Sequence, residues 1–100
     1  MKSEKIYLHK QAIVFRDDAT EIERVAKKLA KKNPVVYIDF KAVKFISRSF
    51  ADEFINSKER LKNSGVSLKT KNTAPNVKKM IALVRHTRKN ILQNAGSFQI

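Results

Sequence analysis

Apolar and polar positions follow two periods along the chain. Short strand-like runs at "KIYLH" (5–9) and "AIVF" (12–15), separated by Lys10 and Gln11, read as a hairpin or as two edge strands. "DDATEIERVAKKLAKKN" (17–33) then places Ala19, Ile22, Val25, Ala26 and Leu29 at helical spacing. Asp17 and Asp18 are placed to cap that helix, and Lys27, Lys28, Lys31 and Lys32 suit the negative end of its dipole. Asn33-Pro34 stops it. "VVYIDF" (35–40) is apolar on both faces, as an internal parallel strand should be.

The spacing predicts a second helix from near Ser49 to Lys62, with Phe50, Ala51, Phe54, Ile55 and Leu61 facing the core. Ser49 and Asp52 have the spacing of a capping box, and Asn63-Ser64-Gly65 ends the helix through a left-handed glycine. "VSLKTK" (66–71) alternates as a strand, with Val66, Leu68 and Thr70 on one face. A last helix starts at residues 72–75, with Thr73 as candidate cap and Pro75 in the first turn. Its stripe is Val77, Met80, Ile81, Val84 and Ile91. "AGSFQI" (95–100) is left as a short final strand or as a tail that packs Phe98 on the core. Helices alternating with strands imply right-handed crossovers and a mostly parallel or mixed sheet. The expectation is one α/β domain over 1–100, core about 5–95, with three main helices and a sheet of about four to five strands.

Composition narrows the chemistry. The chain has no cysteine, which excludes disulfides, a thiol nucleophile and thiolate metal sites and fits the cytoplasm. No apolar run approaches the ~20 residues of a membrane span, and residues 1–10 lack a signal-peptide core, so no membrane role is expected. The formal charge is +13, and its distribution matters more than its sum: every acid lies at or before Glu59, and residues 60–100 hold nine basic residues and no acid. A one-signed segment attracts polyanions, including DNA or RNA. The candidate contacts are Lys78, Lys79, Arg85, Arg88 and Lys89 on the last helix, with Lys69 and Lys71 on the preceding strand. Phe98 is the only aromatic after Phe54, so base stacking is not expected.

The stretch "DFKAVKFISRSFADEF" (39–54) carries the other candidate site. A strand ends there and a helix begins between Ser47 and Ser49, with Arg48 at the helix's positive end. Ser47, Arg48 and Ser49, with Asp52 and Glu53 behind them, have the makings of a docking corner or a phosphate or carboxylate pocket. The plainer alternative has Ser49 capping and Arg48 pairing with Asp52 or Glu53. Phe40, Phe45, Phe50 and Phe54 read as core and interface aromatics. His9 and His86 have no metal-ligand spacing, and no catalytic arrangement or glycine-rich loop stands out, so neither a cofactor nor catalysis is expected.

The element order and Asp39-Phe40, Val43 and Ser49-Phe50-Ala51-Asp52-Glu53 resemble the STAS domain (sulfate transporter and anti-sigma factor antagonist), and most closely a STAS-like branch of unknown function. Arg16, before the first helix, matches that branch as well. The resemblance spans about residues 5–95. It implies a regulatory protein-interaction module whose partner is a histidine-kinase-like ATPase or another regulator. STAS antagonists carry a phosphorylated serine at this corner. Here Ser47 takes the preceding Asp position, Arg48 the acceptor position, Ser49 the following Ser and Phe50 the Gly. Ser47 and Ser49 are the hydroxyls left for phosphorylation, and the sheet's exposed edges leave homodimerisation open.

Overall fold

The chain alternates strand and helix as its periodicity predicts. The computed structural model describes the backbone of residues 4–97 and side chains through Arg88. The order is β1 (Glu4–Tyr7), β2 (Ala12–Ile13), α1 (Arg16–Leu29), β3 (Val35–Asp39), β4 (Phe45–Ile46), α2 (Arg48–Asn63), β5 (Ser67–Lys71) and α3 (Pro75–Ser97). The five strands form two parallel sheets, β1-β3-β5 and β2-β4. The first two strands are therefore edge strands of different sheets, not a hairpin. α3 runs through Ser97, so residues 95–97 add no strand. The side chains of Lys89 and Ile91, and Phe98 as a whole, lie outside the described residues.

Local chemistry sets the helix starts. Only Val14 and Phe15 join β2 to α1, so the helix begins before the two aspartates and they fall inside its first turn. Phe15 occupies the cap position without a side-chain bond, which corrects the expected Asp17 and Asp18 caps. The residues still favour the positive end of the helix through charge. Thr73 is one residue too early to cap α3: Ala74 supplies the first accepting carbonyl, to the Lys78 amide at 3.0 Å, and Pro75 takes the first helical position. Gly65, at φ +84°, terminates α2 as anticipated, while the Lys71–Thr73 bend uses Asn72 at φ 55°.

The core lies on one side of the β1-β3-β5 sheet. Strands in the spatial order 1-3-5, joined by right-handed crossovers, put α1 and α2 on the same face. Burial agrees: Val36, Ile38 and Leu68 are buried, whereas their strand neighbours are not. Phe40, Phe50 and Phe54 fill the centre with no exposure, Phe54 edge-on to Phe40 at 5.8 Å and stacked with Phe50 at 5.5 Å. Of the four phenylalanines expected at core or interface, Phe45 stays outside the core, being 49% exposed. No helix among the described residues is long and apolar enough to cross a membrane.

Candidate functional site: the start of α2 and the cationic surfaces

The corner of residues 47–49 is built differently from the expected capping box. Ser47, not Ser49, caps α2: its Oγ accepts from the Phe50 amide at 3.0 Å and donates to the Val14 carbonyl at 2.6 Å. The Ser47 amide also donates to the Ile13 carbonyl at 2.9 Å, so one residue fastens β2, β4 and α2 together. Signals for both serines were present in the sequence. What decides between them is the length of β4, which delivers Ser47 in an extended conformation at the helix mouth (φ −79°, ψ 163°).

Asp52 and Glu53 are engaged by arginines of this chain. They are the hub of an ion network that joins the three helices. Arg88 Nε donates to Asp52 Oδ1 at 3.0 Å, and its Nη2 donates to the Asp52 carbonyl at 3.1 Å and to Asn56 Oδ1 at 2.6 Å. Arg60 reaches Glu53 at 2.6 Å and holds Glu23 at 2.7 and 3.1 Å. Arg16 lies 3.5 Å from Asp52 and 3.4 Å from Glu53. The Arg60 guanidinium, hydrogen-bonded to both, holds the Glu23 and Glu53 carboxyls below the usual carboxylate range. Arg48 thus loses its expected partners to better-placed arginines. Arg48 and Ser49 are exposed and, among the described residues, their side chains make no hydrogen bond or ion pair.

The segments that Ser47 joins also expose apolar side chains, of which the sequence pattern singled out only Phe45. Ile13 and Ile46 point inward from the small sheet, while Val14, Phe15 and Phe45 are 41%, 68% and 49% exposed. The period-two alternation of strand and loop could have revealed the others, had the strands been known to be only two residues long.

The cations of the C-terminal segment divide among several places. Lys69 and Lys71 project from β5 on the sheet face away from the helices. Lys78 and Arg85 border a groove with Lys58 and Thr70, on the other side of that sheet. Lys79 is exposed on α3, and Arg88 is spent on Asp52. Lys58, Lys62 and Arg85 also line a broad cleft of about 840 Å³ between α2, β5 and α3. There burial, reinforced by Arg85, pushes the Lys58 ammonium below its ordinary pKa.

Aromatic residues missing from the C-terminal half are supplied by the N-terminal half. In register, Lys5 pairs with Tyr37 and Tyr37 with Lys69, while Tyr7 pairs with Asp39 and Asp39 with Lys71. Paired residues of parallel strands share a face, so both tyrosines stand among Lys5, Lys69 and Lys71. Lys71 Nζ sits 4.3 Å from the Tyr37 ring centroid. Asp39 is occupied at the strand end, where its Oδ1 accepts from the Lys41 amide at 2.9 Å and from Asn72 Nδ2 at 3.1 Å. Among the described residues there is no group of His, Cys, Asp and Glu that could hold a metal ion. No protein-family model, curated protein or solved structure matches this chain.

Proposed function

We propose that this chain is a non-catalytic, STAS-like regulatory module that docks a protein partner at the start of α2. One observation carries the reading: Val14, Phe15 and Phe45 expose apolar side chains on the segments that Ser47 ties together, and the adjoining Arg48 and Ser49 have exposed side chains with no partner among the described residues. Apolar anchors beside an uncommitted arginine are the composition of an interface centre. The resemblance in residues 39–54 points to a histidine-kinase-like ATPase as the partner class. Ser49 is the hydroxyl open to phosphorylation, because Ser47 is committed to Phe50 and Val14. The test compares pull-downs from the native extract by wild type, Arg48→Glu, Phe45→Glu and Lys62→Glu. A partner kept by wild type and Lys62→Glu and lost by the other two is the expected result. An unchanged set of partners in all four overturns the reading.

A second reading, nucleic-acid binding, has its own support. From Arg60 to Arg88, only Arg60 and Arg88 among the described cations are held by carboxylates. The remainder, Lys69, Lys71, Lys78, Lys79 and Arg85 included, are left to an external polyanion. Anisotropy with labelled duplex DNA, single-stranded DNA and RNA across a salt series tests it, and a log–log slope near zero removes it.

A further inference from the structure

We propose that the open face of the β1-β3-β5 sheet is a platform for single-stranded nucleic acid, on which Tyr7 and Tyr37 stack bases and Lys5, Lys69 and Lys71 meet phosphates. The inference rests on the nucleic-acid reading and assigns it to a surface.

Three observations lead there. The topology leaves this face uncovered: α1 and α2 cross behind the sheet, and none of Lys5, Tyr7, Val35, Tyr37, Lys69 and Lys71 is buried. The face presents two aromatic rings to solvent: Tyr7 is 58% exposed, and Tyr37, on the central strand, is partly exposed. The face is also net cationic, with three lysines against one carboxylate. Lys5 and Lys69 flank Tyr37 in one cross-strand row and Lys71 ends the next, where Asp39 keeps its charge while accepting from the Lys41 backbone amide and Asn72.

The two rings are arranged for successive bases. Tyr37 lies opposite Lys5, and Tyr7 is two residues further along the neighbouring strand, so their Cα atoms are roughly 8 Å apart on a diagonal. Stacking on aromatic side chains tolerates any base, because every base has a π-face. Lys71 already rests on the Tyr37 ring. A base entering there takes the ammonium's place, and the lysine turns to the adjoining phosphate. Charge and aromatic surface together distinguish a single strand from a duplex, whose bases are stacked on one another and unavailable.

The chain supplies its own reporter. It has two tyrosines and no tryptophan, so intrinsic tyrosine emission comes from this face alone. The full chain is titrated at low salt with short oligothymidine and oligouridine, following tyrosine quenching and, in parallel, the anisotropy of the labelled oligonucleotide. Saturable quenching that tracks anisotropy is expected. Tyr7→Ala and Tyr37→Ala should each weaken binding ~5-fold or more, with Tyr→Phe variants retaining it. Replacing Lys5, Lys69 and Lys71 together by Gln should lower the log–log salt slope by roughly two units. These exposed or partly exposed lysine variants keep the test usable should Tyr37→Ala not fold, as far-UV circular dichroism will show.

Binding that is unquenched, indifferent to the sheet variants and lost in Lys78→Gln/Arg85→Gln overturns the platform while sparing the nucleic-acid reading. No binding of any oligonucleotide removes both. A preference for duplex, or quenching that follows protein concentration alone because a second copy covers the face, also overturns the platform.

Discussion

The two serines flanking Arg48 should differ sharply when each is replaced by alanine. Ser47→Ala removes two bonds at once. Loss of an N-cap acceptor costs ~1 kcal/mol, here the 3.0 Å bond from Phe50. Loss of the 2.6 Å donation to the Val14 carbonyl costs about another 1 kcal/mol, since that carbonyl belongs to the short β2–α1 connection. The total, ~2 kcal/mol, corresponds to a fall in Tm of roughly 8–16 °C for a domain of this size. Ser49→Ala removes no bond and places a better helix former in the first turn, so it should stay within ~0.5 kcal/mol of wild type or stabilise slightly. Ser47→Asp separates the two contributions. It keeps an acceptor for Phe50 and puts negative charge at the positive helix end, but it cannot donate to Val14, so about half the loss should return. Urea unfolding followed by far-UV circular dichroism reads all three as midpoint shifts at constant m. A Ser49→Ala cost equal to that of Ser47→Ala would falsify the assignment of the cap, and a Ser47→Ala cost below ~0.5 kcal/mol would remove the clamp on Val14.

The ion network predicts a pH signature. Glu23 has its folded pKa depressed below 4.5, chiefly by the Arg60 hydrogen bond, so the folded state binds fewer protons and its contribution is full above the unfolded value. Glu23→Gln should cost ~1–2 kcal/mol at neutral pH, and wild type and variant should converge as pH falls below about 4.5; a gap that persists unchanged in acid contradicts the electrostatic origin. Gly65→Ala meets nothing within 4 Å, so its cost of ~1 kcal/mol should come from the positive φ alone, and Gly65→Asn should cost less in the same melts. Phe54→Ala opens the centre of the aromatic core and should cost ~3–5 kcal/mol, seen as a large loss of Tm or of folded protein; a shift of only a few degrees would mean that Phe40 and Phe50 close over the gap.

Much of the fold was legible because it rests on periodicity. Val36 and Ile38, or Phe50, Phe54 and Leu61, are placed by spacing alone, and burial follows. Chain ends of elements were less legible, since they depend on which of several polar residues arrives at the right backbone angle. Ser47 and Ser49 are equally good caps in isolation, and two-residue β4 decides for Ser47. The site was harder still. Asp52 was expected beside Arg48, yet its partners Arg16 and Arg88 lie 36 residues away in either direction. Such pairings depend on helix packing, which no local pattern carries. Tyr7 and Tyr37 illustrate the same gap: their place among Lys69 and Lys71 follows from strand order and register, not from proximity in the chain.

Charge in this molecule is divided by residue type. Of six arginines, Arg16, Arg24, Arg60 and Arg88 are bound to carboxylates, and three of these four tie one helix to another. Of the described lysines only Lys10 and Lys27 make ion pairs. The division has a physical basis. A guanidinium is planar, weakly hydrated and able to grip two acceptors at once, which suits a partly buried junction such as Glu23–Arg60–Glu53. An ammonium is strongly hydrated and best left in water, available to a mobile anion. The basic surplus is therefore mostly lysine, and it lies outside the network that holds the helices. Salt distinguishes the two uses: raising it screens exposed lysines more strongly than paired arginines with partly buried carboxylates. Polyanion binding should consequently be lost at ionic strengths that leave the thermal unfolding transition nearly unmoved. A parallel loss of both would mean that the surface lysines contribute to the fold itself.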